Sequence, residues 1–464
     1  MDILFLRFAS YLGQKGHHPE NVMMPIDIAI MASMADKAGH KTHLIDTEAK
    51  DYAMQGLRTD IRKLDPDLIV VKAKSASANA LLDTFQGMSY PVIGFGQAFN
   101  SLPEVFLESH MNLICILNDE PEIPFKDILA KGSSPETLSE IQGVIIRRKR
   151  TVQINDRRDT SLNLDELPFP KYDWFNSRNY FSFYPVSPFI RKKMAFMMIS
   201  RGCPYECIFC SPTLRQSYGK RIRHHAIGRV LGEMKLLKRR GFNIVQFRDD
   251  LFTLNRAHIA ALCHRLIDEQ VNLKWIAQTH VNHVDRELLK LMRRAGCVSL
   301  GFGIESGSEE ILKKIKKTNK LPHAAEVFRT CRDLGIRTVA FFLIGNPGET
   351  EKDLERTRRL MIELQPNLIQ VAFFVAYPGS EAYRNLPDDM KMNQIGAHHY
   401  NHLSHNFSEI PSDKLGRFQR QMYYSFLSRP RNLFEMPIEL GINLCTNPQI
   451  TLNFLRSSMG FLLR

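Results

Sequence analysis

A regular alternation of strand and helix patterns is the feature that most limits how this chain can fold. From Met194 onward, short apolar runs predict strands at 195–200, 244–247, 273–277, 298–302, 338–344 and 368–375. Stretches with apolar residues at helical spacing lie between them, including 226–238, 257–269, 286–295 and 352–364. Six such βα repeats predict an open or closed barrel of parallel strands, a partial (β/α)6 fold. In such barrels the chemistry lies on loops at the carboxyl ends of the strands.

The beginning of the chain alternates in the same way. Strand patterns lie at 1–8, 41–45, 67–71, 91–95 and 111–117, and helical patterns lie at 25–38, 52–64 and 78–85. This order predicts a doubly wound, Rossmann-like α/β sheet. Charge runs and an aromatic, proline-rich stretch then indicate a linker. The predicted organisation is an α/β domain over 1–130, a linker over 131–190, a barrel domain over 191–400 and a helical C-terminal appendage over 401–464.

Composition narrows the class of protein. The eight cysteines form one tight trio and five singletons, which is not the pattern of a disulfide framework and favours a reducing cytoplasm. The formal charge is +13, but the basic residues are scattered and no nucleic-acid-binding module is recognisable. A solvated basic surface is therefore preferred to a nucleic-acid partner. No secretory signal is evident, and no run approaches the roughly 18 apolar residues of a membrane span. We expect a cytoplasmic protein.

The cysteine trio directly follows the first predicted barrel strand. Cys203, Cys207 and Cys210 lie within eight residues, so their thiolates can converge on a metal only if the chain curls around it. Thiolate-only ligation suits zinc or an iron–sulfur cluster. A closed zinc site needs a fourth ligand, which His224 or His225 could supply. An iron–sulfur cluster tolerates three thiolates and leaves one iron open.

The loop Cys203-Pro-Tyr-Glu-Cys207-Ile-Phe209-Cys210 resembles that of the radical S-adenosylmethionine (SAM) superfamily. Further similar stretches are Phe-Arg-Asp-Asp-Leu-Phe-Thr at 247–253, Gly-Phe-Gly-Ile-Glu-Ser-Gly-Ser at 301–308, Phe-Leu-Ile-Gly-Asn-Pro-Gly-Glu-Thr at 342–350 and Ala-Tyr-Pro-Gly-Ser at 376–380. Together they indicate the branch with an N-terminal cobalamin-binding-like domain, over roughly residues 1–130 and 190–390. The resemblance implies a 4Fe-4S cluster on the three cysteines. SAM would bind its open iron and be cleaved to a 5′-deoxyadenosyl radical.

The resemblance also implies cofactor-binding residues. The candidates are Phe209, Asp249, Asp250, His280, Glu305, Ser306, Gly345 and Pro378. The two aspartates would meet the amino group of SAM, Glu305 and Ser306 its ribose or other polar parts, and Gly345 and Pro378 its adenosine. Relatives often carry arginine at the position of His280, which puts a contact to the SAM carboxylate in doubt.

Each candidate also has an ordinary structural interpretation. The paired aspartates could begin a surface turn, and His280 could be a satisfied polar group. Ser306 and Glu309 fit a capping box for the next helix. The loops that contain Gly345 and Pro378 are typical turn sequences.

The N-terminal stretches 94–104 and 119–122 resemble parts of cobalamin-binding-like domains. No D-x-H-x-x-G sequence is present, so no histidine is nominated as an axial ligand. We expect cobalamin to bind, and the alternative is a purely structural α/β domain. The leading function is a cobalamin-dependent methyltransferase acting on an unactivated carbon. The alternatives are a radical SAM cyclase, oxidoreductase or rearrangement enzyme without methyl transfer, and a non-catalytic metal-binding module.

The expected partners are a small-molecule or lipid-like substrate and an external electron donor of flavodoxin or ferredoxin type. The tail 450–464 places Leu452, Leu455, Met459 and Leu462 on one helical stripe. The preferred interpretation is a helix that closes the open side of the barrel. The alternative is peripheral contact with a membrane, consistent with the positive charge and a lipid-like substrate.

Overall fold

The computed structural model describes most of the chain. The described residues are 1–8, 22–50, 54–73, 81, 83–96, 99–100, 102–118, 120–149, 151–155, 162–176, 179–182, 184–186, 192–210, 218–387, 390–391, 403, 405–446 and 451–452. Two large sheets dominate this part of the chain. None of its helices combines the length and the apolar character that a membrane crossing requires.

The first sheet is doubly wound. Its strands are β1 (Asp2–Phe8), β2 (Lys41–Asp46), β3 (Leu68–Ala73), β4 (Val92–Phe95), β5 (Leu113–Leu117), β6 (Val144–Arg148) and β7 (Thr151–Ile154). They stand in the order β2-β1-β3-β4-β5-β6-β7, parallel up to β5 and antiparallel beyond it. Continuous apolar runs such as Ile3–Leu6 are buried, as expected for a parallel sheet covered on both faces.

Helices cover this sheet. They are α1 (Ile26–Lys37), α2 (Met54–Leu64), α3 (Pro103–Ser109), α4 (Glu122–Lys131) and α5 (Pro135–Glu140). Because the strand order reverses between β1 and β3, a crevice forms at their carboxyl ends, where open α/β sheets bind ligands. The described residues Arg7 and Lys72 lie at this crevice.

The second sheet is the predicted partial barrel. Its strands are β8 (Met194–Met197), β11 (Ile244–Phe247), β12 (Lys274–Thr279), β13 (Cys297–Glu305), β14 (Arg337–Ile344) and β15 (Leu368–Phe373). They are parallel and follow chain order from one edge to the other, which confirms the predicted strand series. A short antiparallel pair, β9 (Ser200–Arg201) with β10 (Arg223–His224), brackets the cysteine loop.

Helices alternate with the barrel strands. They are α6 (Ile227–Arg239), α7 (Arg256–Asp268), α8 (Arg286–Arg294), α9 (Glu309–Lys314), α10 (Leu321–Asp333), α11 (Glu351–Leu364) and α12 (Glu381–Arg384). Sequence signals begin several of them: Thr350 and Asp353 form a reciprocal capping box on α11. Asn255 and Asp285 cap α7 and α8 with their side chains.

The C-terminal appendage is helical, as predicted. It contains α13 (Ser412–Leu427) and α14 (Pro430–Thr446). Helix α13 covers the open edge of β15: Gln419 Nε2 donates to Val371 O at 2.7 Å, and Tyr423 Oη accepts from Val371 N at 3.1 Å. These bonds satisfy backbone groups that an edge strand would otherwise expose. Most of the tail stripe lies outside the described residues, so its helix and its membrane alternative remain predictions.

One prediction needs correction. Residues 131–190 were expected to form a linker, but β6 and β7 within this range extend the first sheet. The run of arginines that indicated a linker contributes to packing, because Arg147 donates to the carbonyl oxygens of Leu107 and His110. Farther along, Tyr180 and Tyr184 are buried. The hydroxyl of Tyr180 bonds to Asp46 in the first sheet at 2.9 Å, and Tyr184 contacts Gln278 in the barrel.

Candidate active site

The cysteine loop leaves the barrel through a glycine that no other residue can replace without strain. Gly202 has φ +103°, and a Cβ there would lie 2.3 Å from the carbonyl oxygen of Arg221. Cys203 N then donates to Gly219 O at 3.2 Å, and Cys210 N closes a turn on Cys207 O at 3.1 Å. The loop therefore curls, as three converging thiolates require.

Backbone and ring contacts hold the far side of this loop. Ile208 N donates to Ile315 O at 3.2 Å, and Ile208 O accepts from Ala382 N at 3.0 Å. Phe209 packs edge-on against Phe374, with ring centroids 6.3 Å apart, inside a small apolar cluster. Phe209 was predicted to bind a cofactor. Its ring fixes the loop against the barrel as an apolar anchor, and its contact with a cofactor stays a prediction.

Tyr205 docks the middle of the loop on two histidines. Its ring stacks on His280 at 5.0 Å between centroids, and its hydroxyl lies 2.5 Å from His283 Nε2. His280 Nδ1 also accepts a hydrogen bond from Asn282 N at 3.2 Å. Burial lowers the pKa of His280 to about 3, so its imidazole is neutral near pH 7. His280 thus positions the cysteine loop from beneath, and its contact with a ligand stays a prediction.

The three loop thiols differ from the other cysteines. Cys203, Cys207 and Cys210 are partly exposed, whereas the remaining cysteines are buried except for Cys445, which is exposed. Burial, together with the neighbouring Cys207 and Cys203, raises the pKa of Cys210 to about 12. No three His, Cys, Asp or Glu side chains in the described ranges form a site for a metal ion. A 4Fe-4S cluster does not require three ligands around one ion, because each thiolate binds a different iron.

Lys317 is a site residue that the sequence analysis missed. Its ammonium lies 3.3 Å from Glu305 Oε1, and both side chains are largely buried. Burial alone would lower the pKa of Lys317, but Glu305 and then Cys207 raise it above its ordinary value. A cation therefore lies beside Glu305 and within electrostatic range of the loop thiols. Glu305 itself has φ +67°, a strained conformation for a residue with a side chain.

A glycine makes room for this ion pair. A Cβ on Gly303 would lie within 3.0 Å of Lys317 Nζ and would also overlap the Glu305 carboxylate. The cleft beside the pair, between the cysteine loop and α9, has a volume of about 540 Å³ and is lined by Tyr205, Lys317 and Asn319 among others.

The two adjacent aspartates have different roles. The Asp249 carboxylate accepts from Ile199 N at 3.1 Å and from the backbone and hydroxyl of Ser200. It therefore supports the chain just before the cysteine loop, and its contact with SAM stays a prediction. Asp250 has no hydrogen-bond or ion-pair partner among the described residues. Burial, together with the adjacent Asp249, raises the pKa of Asp250 to about 7.

The remaining candidates lie in tightly bonded turns. Ser306 Oγ is 3.2 Å from Thr357 Oγ1 and accepts from Ser308 N. The predicted capping box at Ser306 is wrong, because Ser308 is the N-cap of α9 and forms no side-chain cap bond. Gly345 N donates to the buried Glu349 carboxylate at 2.6 Å.

Pro378 is buried in the turn that precedes α12. The backbone N–H of Ser380 closes this turn on the carbonyl oxygen of Tyr377 at 2.9 Å. Pro378, like Ser306 and Gly345, therefore shapes a loop end, and its contact with the adenosine remains a prediction.

The histidines considered as a fourth zinc ligand are engaged elsewhere. His224 stacks on His258 with centroids 4.5 Å apart. His225 Nδ1 lies 3.2 Å from Asp165 Oδ1 and accepts from Arg229 Nε at 3.0 Å. These contacts favour the cluster over a zinc site for the cysteine trio.

A buried ionic network joins the cysteine loop to the first sheet. Arg201, which precedes Gly202, donates two bonds to the Glu122 carboxylate at 2.7 and 3.1 Å. Arg223 binds Glu120 through two bonds of 2.6 and 3.0 Å. Burial alone would lower the pKa of Arg201, but Glu122 and Glu120 raise it above its ordinary value. The sequence resemblance drew attention to 119–122, yet it did not show that two of these carboxylates face the barrel.

Comparison with known proteins agrees with this geometry. The sequence profile of the Radical SAM superfamily matches residues 197–361. An uncharacterised methyltransferase of Pyrococcus horikoshii is 27% identical over 89% of this chain and 89% of its own length. The anaerobic magnesium-protoporphyrin IX monomethyl ester cyclase of Cereibacter sphaeroides is 23% identical over 79% of this chain and 61% of its own length.

A solved structure extends the match to the whole fold. The cobalamin-dependent SAM radical enzyme OxsB, with aqua-cobalamin and SAM bound, superposes with a TM-score of 0.71. The identity is 15%, and the superposition covers 98% of this chain and 75% of that one. Over residues 197–361 the chain therefore carries the domain of a radical SAM enzyme. Because it covers 98% of this chain, the superposition includes both of the sheets described above.

Proposed function

We propose that this protein is a cobalamin-dependent radical SAM methyltransferase that acts on an unactivated carbon. The observation that carries the proposal is the junction of the two sheets. Arg201, adjacent to the cysteine loop, binds Glu122 at the first turn of α4, just beyond β5. The carboxyl end of the first sheet therefore stands against the loop proposed to hold the cluster. The methyltransferase of Pyrococcus horikoshii and the fold of OxsB support the same interpretation.

The cysteine loop has the properties of a cluster site. Its three thiols are partly exposed at the barrel mouth, and the chain curls at Gly202 to bring them together. Cys203, Cys207 and Cys210 would hold a 4Fe-4S cluster with one open iron. When bound, the cluster and SAM supply a 5′-deoxyadenosyl radical, and cobalamin supplies a methyl carrier.

Polar groups beside the loop suit the amino-acid part of SAM. The carboxylate of Asp250 has no partner in the described chain and would accept hydrogen bonds from the amino group. Lys317, a cation close to Cys207 and Cys210, would attract the carboxylate. Glu305 holds Lys317 at 3.3 Å and, once SAM is bound, would accept from its ribose hydroxyls.

The first sheet suits cobalamin at the level of topology. Its order β2-β1-β3-β4-β5 creates a ligand crevice at the β1/β3 switch point. Arg7, at the carboxyl end of β1, is close enough to Arg248 of the barrel to lower the pKa of that arginine. The crevice therefore faces the barrel mouth. Much of the chain that follows β1 and β3 (9–21 and 74–80) lies outside the described residues.

The surface next to the cysteine loop suits an acidic electron donor of flavodoxin or ferredoxin type. Lys313, Lys314, Lys316 and Lys320 are exposed. Cys207 Sγ lies 3.7 Å from the carbonyl oxygen of Lys316, so this basic surface reaches the proposed cluster site. Opposite charges speed the encounter of two proteins and do so less at high salt.

A second candidate is a radical SAM enzyme without methyl transfer, which the cyclase of Cereibacter sphaeroides favours. Product analysis separates the two candidates. The anaerobically reconstituted protein is incubated with SAM, reductant and either cobalamin or buffer. Methyl transfer predicts S-adenosylhomocysteine only when cobalamin is present, together with 5′-deoxyadenosine. The second candidate predicts 5′-deoxyadenosine alone, with or without cobalamin. Absence of both products would contradict both candidates, provided that a Cys263→Ala control has the same iron content as the unaltered protein.

A further inference from the structure

The interior face of the barrel can be identified from strand register. Gln246 of β11 stands opposite Phe196 and Ile276 in the neighbouring strands. Because side chains alternate along a strand, Arg248 lies on the same face as Gln246. Gln278, two residues beyond Ile276, is also on this face.

Tyr184 marks this face as the interior. Its hydroxyl accepts a hydrogen bond from Gln278 Nε2 and lies 2.5 Å from the position a Cβ on Gly301 would take. Gly301 pairs with Gln278 in register, so the glycine leaves the space that the tyrosine occupies.

The interior is polar and incompletely satisfied. Gln246 Oε1 and Ser299 Oγ are buried and have no hydrogen-bond partner within the described part of the chain. A buried polar atom without a partner costs roughly 1–3 kcal/mol. A barrel filled only for stability would place apolar side chains at these positions. These groups indicate a polar ligand inside the barrel.

Arg248 is the charged group of this interior. No hydrogen bond or ion pair of its guanidinium occurs among the described residues, and Asp249 beside it is occupied by Ile199 and Ser200. Burial lowers the pKa of Arg248, yet a guanidinium remains protonated in proteins. Asp250 and Asp249 act on Arg248 only through space, so its N–H donors have no acceptor among the described residues. Donors left in this way are costly, and the arrangement favours an anionic acceptor from outside the chain.

The charged neighbours of Arg248 differ from those of Lys317, the cation proposed to attract the carboxylate of SAM. The charges that act on Arg248 most strongly are Tyr184, Asp250, Asp249 and Arg7. Those that act on Lys317 are Glu305, Cys207 and Cys210. Lys317 therefore faces the thiols where SAM is proposed to bind. Arg248 faces the barrel interior and the first sheet.

We infer that Arg248 binds an anionic group of the substrate, a carboxylate or a phosphate, at the mouth of the barrel. The inference rests on the proposed function in so far as the barrel interior holds the substrate. It assigns a substrate class, because a neutral hydrocarbon would leave the N–H donors of Arg248 without an acceptor. Gln246 and Ser299 would then bond polar atoms deeper in the same molecule.

Inorganic phosphate is the probe for this site. The reconstituted full chain, saturated with SAM, is titrated with phosphate by calorimetry, alongside Arg248→Gln, Arg248→Lys and Arg256→Gln. Arg256 is an exposed arginine paired with Asp285 and serves as the control. We expect the Arg248→Gln change to weaken phosphate binding roughly ten- to a hundredfold. Arg248→Lys should retain part of the affinity, and Arg256→Gln should retain all of it.

Three further readouts identify the source of the anion. The affinity for SAM, the stoichiometry of cobalamin and the melting temperature should be unchanged in Arg248→Gln. Loss of SAM or cobalamin affinity would assign the anion to that cofactor and overturn the inference. Equal phosphate binding by the variant and the unaltered protein would also overturn it, as would a large fall in melting temperature. None of these readouts measures methyl transfer, so failure here is distinct from failure of the proposed function.

Discussion

The two sheets differ in how the charged side chains at their carboxyl ends are paired. In the first sheet, Arg7 is paired with Asp46 and Glu48, and Lys72 is paired with Asp27 at 2.5 Å. At the barrel mouth, the partly buried Arg248 and Asp250 act on each other only through space. Neither forms a hydrogen bond or an ion pair with a described residue. A buried charge needs a counter-ion, and breaking a buried pair is expensive. The difference indicates that paired charges hold the fold, whereas unpaired charges at the barrel mouth are available for ligands.

The largest effect is expected where a pair links the two sheets. Arg201→Gln removes one partner of Glu122, whose carboxylate is fully buried. Leaving such a charge uncompensated costs about 3–5 kcal/mol. Urea denaturation should show this loss in the free energy of unfolding. Arg248→Gln is the matched control and should show almost none. Equal destabilisation by both substitutions would contradict the distinction between paired and unpaired charges.

A moderate effect is expected for SAM binding. Glu305→Gln keeps the size of the side chain but removes the charge that holds Lys317 at 3.3 Å. We expect SAM affinity to fall roughly ten- to a hundredfold, the value of a charge-assisted hydrogen bond. Equilibrium dialysis and iron analysis check this together, with Glu310→Gln on the surface of α9 as the control. If iron is lost and SAM affinity is retained, Glu305 supports the fold and not the ligand.

The smallest effect concerns Glu233, a buried carboxyl that accepts a hydrogen bond but forms no ion pair in the described chain. Tyr172 donates a hydrogen bond to Glu233 at 2.7 Å, and the described chain offers Glu233 no ion pair. Burial raises the pKa of Glu233 from its ordinary value of 4.5 to about 7. The folded state therefore binds more protons than the unfolded state between these pH values. Stability should fall as pH rises through this window, by about 1 kcal/mol per pH unit.

Glu233→Gln is expected to remove this contribution. Because other carboxyls titrate in the same window, the quantity to measure is the difference in unfolding free energy between the variant and the unaltered protein. That difference should grow in favour of the variant from pH 5 to about pH 7. A constant difference would show that Glu233 stays ionised in the folded protein.

The strand series of the barrel was predictable because parallel strands covered on both sides are continuous apolar runs. The hairpin of β6 and β7 was missed because Arg147 and its neighbours resemble a solvated charge run. Its carbonyl partners, Leu107 and His110, lie far away in sequence. The cysteine loop was evident from spacing alone.

The other site residues depend on three-dimensional contacts. The sequence cannot separate Asp249 from Asp250, since only the position of Ile199 and Ser200 decides which carboxylate is occupied. Lys317 was not predicted because the sequence does not single it out within a lysine-rich segment. Its contact with Glu305 arises from the turn around α9. Arg248 was identified only because its guanidinium forms no hydrogen bond or ion pair in the described chain.

The central claim is that Cys203, Cys207 and Cys210, and no other cysteine, hold a 4Fe-4S cluster. Iron and sulfide analysis with EPR of the anaerobically reconstituted protein tests it most directly. Alanine at any one of the three positions should abolish the four-iron stoichiometry and the EPR signal. Alanine at Cys263, a buried cysteine of α7, should leave both unchanged. A Cys207→Ala protein that retains four irons, or a Cys263→Ala protein that folds but loses them, would contradict the account.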